Sequence, residues 1–103
     1  MNEKVAKCLL ISKVLVADGM MTDDERGFLD AVMTAEGLDA GERHRVIELD
    51  GWDEAERLVR GLPLAERRAL VEQLVDAAAA DGRLSVHELA TIRQLAEQLG
   101  VAS

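Results

Sequence analysis

The chain has 103 residues, enough for one domain with a single hydrophobic core. Hydrophobic residues make up 49% of the sequence, but there is one Phe, one Trp and no Tyr, so the core must consist of Leu, Val, Ile, Met and Ala, as in packed helices. The formal net charge of −8 disfavours a nucleic-acid partner, because cationic side chains bind phosphate backbones.

The first predicted helix covers about residues 3–18, and apolar side chains on nearly all its sides predict a central, buried position. Cys8, the single cysteine, excludes an intrachain disulfide and is predicted to be a small buried hydrophobe. The apolar run 9–16 is interrupted by Ser12 and Lys13 and is far shorter than the roughly 20 residues that span a bilayer. We therefore expect no signal peptide, no membrane insertion and a cytoplasmic location.

Five further helices are predicted from apolar residues at helical spacing and from Gly, Ser and Thr at the ends. They cover about residues 22–36, 40–49, 52–59, 64–81 and 86–99. Trp52 is predicted to be a core or partly buried anchor for the short middle helices, and Pro63 suits the first turn of the fifth helix. The predicted fold class is therefore all-α, a single-domain bundle of about six helices over residues 1–103.

An internal repeat is the most informative feature of the sequence. Residues 17–25, Ala-Asp-Gly-Met-Met-Thr-Asp-Asp-Glu, reappear at 80–88 as Ala-Asp-Gly-Arg-Leu-Ser-Val-His-Glu, and the register holds from Leu29 with Ile92 to Gly37 with Gly100. Each copy predicts a helix, a tight Asp-Gly turn and a second helix. The chain therefore consists of two helical hairpins with two short helices between them. Duplicated hairpins commonly pack about a pseudo-twofold axis, which would bring the two turns together.

Helix capping explains part of the repeated motif. Thr22 and Ser85 are favourable N-cap residues, and Glu25 and Glu88 follow three residues later, the spacing of a capping box. The glycine of each copy can take the left-handed conformation that ends a helix. These residues therefore have a structural explanation that requires no ligand.

The aspartates Asp18 and Asp81 are less easily explained by capping. Both lie at predicted helix C-termini, where the helix dipole is negative and a carboxylate costs about 0.3–1 kcal/mol. The same unfavourable placement occurs twice, which indicates that each aspartate has a compensating partner. That partner is either a backbone N–H of the following helix or a bound cation, since hard divalent ions favour clustered carboxylate oxygens.

The doubled motif resembles that of the TerB-like (tellurite-resistance protein B) family. In this pattern an apolar helix ends in Ala-Asp-Gly, and an apolar residue, Ser or Thr, two variable residues and Glu follow. The chain carries it twice at the expected separation, and the resemblance covers about residues 4–101. The N-terminal region of the bacterial co-chaperone DjlA is similar as well.

The resemblance implies a compact helical domain associated with bacterial tellurite resistance and with chemical or envelope stress. Family members are proposed to bind metal through acidic residues and to work in complexes, some of them at the inner face of the membrane. Carried onto this sequence, the metal-binding candidates are Asp18, Glu25, Asp81 and Glu88. The expected cofactor is a divalent metal ion and the expected partner is a protein, while homo-oligomerisation is left open.

No catalytic residues are predicted, because the sequence has no recognisable Ser/His/Asp set, Gly-rich phosphate loop or Cys–His pair. His44 is predicted to be solvated, and His87 has Asp24 at its place in the first copy, so a symmetric ligand role is not supported. Three functions stay open. The first is a module that binds a cation and a protein, and the second is a protein-interaction domain whose motifs are only caps. The third, a small metal-dependent hydrolase, is remote.

Overall fold

The computed structural model describes residues 1–17, 19, 21–80, 82 and 85–101. In these ranges the chain forms six α-helices and no β-strand, which confirms the predicted all-α bundle. The helices are α1 (Glu3–Leu15), α2 (Asp23–Ala35), α3 (Ala40–Ile47), α4 (Trp52–Arg60), α5 (Leu64–Ala78) and α6 (Val86–Gln98). No helix in the described part of the chain is long and apolar enough to cross a membrane.

Helix α1 lies at the centre of the bundle. Nine of its thirteen residues are buried, and all five other helices contact it, α4 most extensively. A helix that is apolar on nearly every side has no face suited to water, so its side chains are buried only if other helices surround it. The predicted central position of this helix is therefore confirmed.

The two predicted hairpins pack across each other. Helices α1 and α2 form the first hairpin, α5 and α6 form the second, and α1 packs against α5. The outer helix of each hairpin also contacts the inner helix of the other, α2 with α5 and α6 with α1. This exchange of contacts is what a pseudo-twofold relation between hairpins produces. Helices α3 and α4, which connect the two hairpins, also pack against α1.

The inner helices end earlier than the sequence predicts. Helix α1 ends at Leu15 rather than at residue 18, and α5 ends at Ala78 rather than at residue 81. After each end, backbone N–H groups bond to carbonyls three residues back, which tightens the chain into a turn. The end of α5 could not be predicted from the apolar pattern, because Ala79 and Ala80 continue the alanine run although both are exposed. Pro63 also stands immediately before α5 rather than within its first turn.

Cys8 is fully buried on α1, as predicted. Burial raises the pKa of its thiol to about 12, because the desolvated site disfavours the thiolate, and the nearby carboxylate of Glu36 acts in the same direction. At neutral pH the thiol is therefore protonated and removed from solvent. It packs as a small hydrophobic side chain.

We expect Cys8 to resist alkylation in the native protein. At about pH 8, iodoacetamide should label it about 100-fold more slowly than in the guanidinium-unfolded chain, because the reactive thiolate is both scarce and buried. Mass spectrometry of the two samples over time measures the ratio. Comparable labelling rates in both samples would contradict the burial of α1.

Candidate functional site

The two Asp-Gly turns are built by the same backbone hydrogen bonds. In each turn, three N–H groups bond to carbonyls four, three and three residues back. The pairs are Val16 to Ser12, Ala17 to Val14 and Gly19 to Val16 in the first turn, and Ala79 to Val75, Ala80 to Ala77 and Gly82 to Ala79 in the second. Both glycines have positive φ, 99° for Gly19 and 80° for Gly82, a conformation that other residues rarely adopt. The described residues of the two turns therefore share the same hydrogen bonds and the same glycine conformation.

The helix after each turn begins with the predicted cap. Thr22 Oγ1 accepts a hydrogen bond from the N–H of Glu25 at 3.2 Å, and Glu25 Oε1 accepts one from the N–H of Thr22 at 2.9 Å. Ser85 Oγ likewise accepts from the N–H of Glu88 at 3.0 Å. The N-cap predictions at Thr22 and Ser85 are confirmed, and the reciprocal capping box is confirmed at α2.

Glu25 and Glu88 are buried, with side chains only 1% and 3% exposed. Capping by itself does not require burial. Asp39 and Glu42 form the same reciprocal box at the start of α3, where Asp39 is exposed and Glu42 is only half-buried. The repeated motifs therefore differ from an ordinary cap, because each places a carboxyl group in the protein interior.

One oxygen of Glu25 is left over after capping. Glu25 Oε2 is fully buried and accepts no hydrogen bond from the described residues. A buried polar atom without a partner costs about 1–3 kcal/mol, and more if it is charged. The helix N-terminus offsets part of that cost, since its dipole favours a negative charge. Glu25 Oε2 is a carboxylate oxygen, the kind of ligand that hard cations prefer, and no described residue donates a hydrogen bond to it.

Asp18 and Asp81 lie outside the described residues. Of the four predicted ligands, the structure therefore places Glu25 and Glu88, and the approach of the two aspartates to each other stays a prediction. Among the residues that are described, no three or more His, Cys, Asp or Glu side chains form a group that could hold a metal ion. A cation bound by these glutamates would need further oxygens, for which the aspartates of the two motifs are the candidates.

Both histidines lie at the surface. His44 is 75% exposed and its Nε2 lies 4.0 Å from a carboxylate oxygen of Glu48, one turn further along the helix. This confirms the predicted solvated position. His87 is also exposed, at the start of α6.

An ion pair between α1 and α4 was not predicted. Lys13 Nζ lies 3.1 Å from Oε1 of the buried Glu56, and Arg60 lies 3.6 Å from the other oxygen of the same carboxylate. Lys13 Nζ is also 5.8 Å from the centre of the ring of Trp52, which is half-buried as predicted. The sequence contained a signal, because Glu56 follows Trp52 by four residues and so falls on the apolar face of its helix.

The sequence matches the model of a known protein family. The family model described as tellurite resistance protein TerB matches residues 4–103. The match includes both Asp-Gly motifs and the two short helices between the hairpins. No curated protein and no solved structure was found to match the chain.

Replacing Lys13 by Met should destabilise the protein by about 1–3 kcal/mol, because the buried Glu56 then loses its closest hydrogen-bonding cation. Lys7→Met is the matched control on the same helix. Lys7 Nζ lies 2.9 Å from Glu3, whose side chain is 41% exposed, and losing a surface pair of this kind costs below about 0.5 kcal/mol. Urea unfolding at neutral pH measures both variants. Equal effects would show that the Lys13–Glu56 pair matters no more than a surface pair.

Proposed function

Because the chain belongs to the TerB family of tellurite resistance proteins, we propose that it is a non-enzymatic module that binds a divalent cation and a protein partner. The cation's ligands are Asp18, Glu25, Asp81 and Glu88, the acidic residues of the two motifs. The module acts in the bacterial cytoplasm, in tellurite resistance or in the response to chemical or envelope stress. Its protein partner belongs to a membrane-associated complex.

The observation that carries the cation proposal is the burial of Glu25. Its side chain is 1% exposed, Oε1 accepts the N–H of Thr22, and Oε2 accepts nothing from the described residues. A capping role accounts for one oxygen and leaves the other with an uncompensated desolvation cost. A cation beside Oε2 would remove that cost, because it replaces the lost water with a charge of opposite sign.

The duplication supports a role for both motifs. The two turns share their backbone hydrogen bonds, and Glu88 is buried at the same helix position as Glu25. Each outer helix also packs on the inner helix of the other hairpin, so the two motifs belong to one packed unit. In this proposal, carboxylates of both motifs contribute to one cation site.

The ligand chemistry favours a hard cation. All four proposed ligands are carboxylates, and oxygen donors suit Mg²⁺, Ca²⁺ and Mn²⁺ better than the soft ions that thiolates select. The only cysteine is buried in α1 with its thiol protonated, and both histidines are exposed. Zn²⁺ is therefore the least suited of the common divalent ions.

A second candidate is a protein-interaction domain that holds no metal and uses the motifs only as caps. Val86, at the start of α6, favours it. Its side chain is 79% exposed within the second motif, at a position where the first copy has Asp23. An apolar side chain held in water next to a rigid cap suits a contact with another protein.

Thermal melts of chelator-treated protein with added Mg²⁺, Ca²⁺, Mn²⁺ or Zn²⁺ separate the two candidates. A cation that binds only the folded state should stabilise it by about 2.7 kcal/mol at 100 times its dissociation constant. Glu25→Gln should weaken that cation about tenfold or more, because the amide keeps an acceptor for the N–H of Thr22 but loses the charge. Glu25→Gln therefore tests the loss of the cation ligand without the loss of the helix cap.

Glu42→Gln is the matched control, since it makes the same chemical change in the half-buried capping box of α3. The response of this variant to the cation should equal that of the wild type. If no ion raises the wild-type midpoint, the cation proposal is wrong and the motifs are caps. If the midpoint rises equally in Glu25→Gln, the cation binds at another site.

A further inference from the structure

Helix α5 carries an exposed apolar strip that the bundle does not cover. Leu64, Arg68, Val71 and Val75 follow one another at intervals of four, three and four residues, and Glu72 lies beside them. Alternating intervals of four and three residues place side chains in a row along one helix face, the arrangement by which two helices pack in a coiled coil. We call these five residues the α5 strip.

The α5 strip is available to a partner. Leu64 is 40% exposed and Val75 is 39% exposed, and Val71 is half-buried at the edge of the core. Arg68 and Glu72 are exposed, and neither takes part in an ion pair within the described residues. With Val71 and Val101 they line a shallow depression. Apolar side chains thus alternate with one unpaired positive and one unpaired negative charge.

We propose that the α5 strip binds a second copy of this chain, with the two α5 helices antiparallel about a twofold axis. In this register Leu64 packs against the partner's Val75, and Val71 packs against the stem of the partner's Arg68. The guanidinium of Arg68 then lies beside the partner's Glu72. A twofold axis makes every contact occur twice.

The order of charges along the strip identifies the partner as a second copy. An antiparallel partner helix must present apolar residues at both ends and an acid opposite Arg68, with a base opposite Glu72. The strip read in the reverse direction has this pattern to within one residue, because the partner's Val71 lies opposite Arg68 and Glu72 is the next residue along. The strip is also electrically balanced, whereas the whole chain carries −8 and repels itself elsewhere.

The dimer should be weak and reversible. The strip spans twelve residues, roughly 18 Å of helix, so the interface falls below the roughly 1,200 Å² that stable complexes bury. Association is therefore to be measured over a range of about 10 μM to 1 mM protein. The buffer needs about 0.15 M salt, where charges more than about 8 Å apart are largely screened and the net repulsion is reduced.

Charge reversal tests the register by sedimentation equilibrium. Arg68→Glu and Glu72→Arg should each weaken self-association about tenfold or more, because each places like charges opposite one another twice. The double variant should recover wild-type association. An equimolar mixture of the two single variants should form a heterodimer, since every contact in it joins opposite charges.

Arg57→Glu is the matched control, because it makes the same charge reversal at an exposed arginine of α4, a helix that contributes no residue to the strip. It should dimerise like the wild type. All these positions are exposed, and thermal melts verify that each variant is folded. A wild type that stays monomeric at about 1 mM would overturn the proposal. Dimerisation that the single reversals leave unchanged, or that the double variant fails to recover, would overturn it as well. No motif residue is altered, so the outcome is independent of the cation proposal.

Discussion

The burial of α1 is the constraint on which the rest of the structure depends. Its apolar residues lie on nearly every side, so no solvent-facing position exists for it, and five helices are needed to cover it. Lys13, on a half-buried position of α1, lies beside the buried carboxylate of Glu56 on α4, which Arg60 also contacts. The hairpins and the middle helices are therefore held in place by the same central helix.

The candidate site follows from the ends of the two inner helices. Helix α1 and helix α5 each end in a short turn with a glycine at positive φ, and a capped helix begins directly after it. Both inner helices pack in the bundle, and α2 and α6 begin with N-caps at Thr22 and Ser85. Glu25 and Glu88 are thereby held in the interior, where a carboxylate is costly unless something compensates it. The proposed cation site is built on Glu25, whose Oε2 accepts no hydrogen bond from the described residues.

Local signals in the sequence predicted much of the fold. Six helices and their caps could be predicted because their signals depend only on neighbouring residues. These signals are helical periodicity, glycines at helix ends, and Thr22 and Ser85 at helix starts. The ends of α1 and α5 could not be predicted, because the apolar run continues past the last helical residue. The Lys13–Glu56 pair joins residues far apart in the chain, and the burial of Glu25 depends on tertiary packing rather than on its capping position. Neither the ion pair nor the burial of Glu25 could be predicted from local sequence patterns alone.

Paramagnetic NMR with Mn²⁺ tests whether carboxylates of both motifs share one cation. Mn²⁺ broadens the signals of nearby amides, so substoichiometric additions locate the ion without any mutation. If carboxylates of both motifs share one cation, amides of residues 17–25 and 80–88 should lose intensity at the same Mn²⁺ concentrations, ahead of the exposed acidic residues of α3 and α4. Broadening at one motif alone, or spread evenly over the acidic surface, would contradict a shared site.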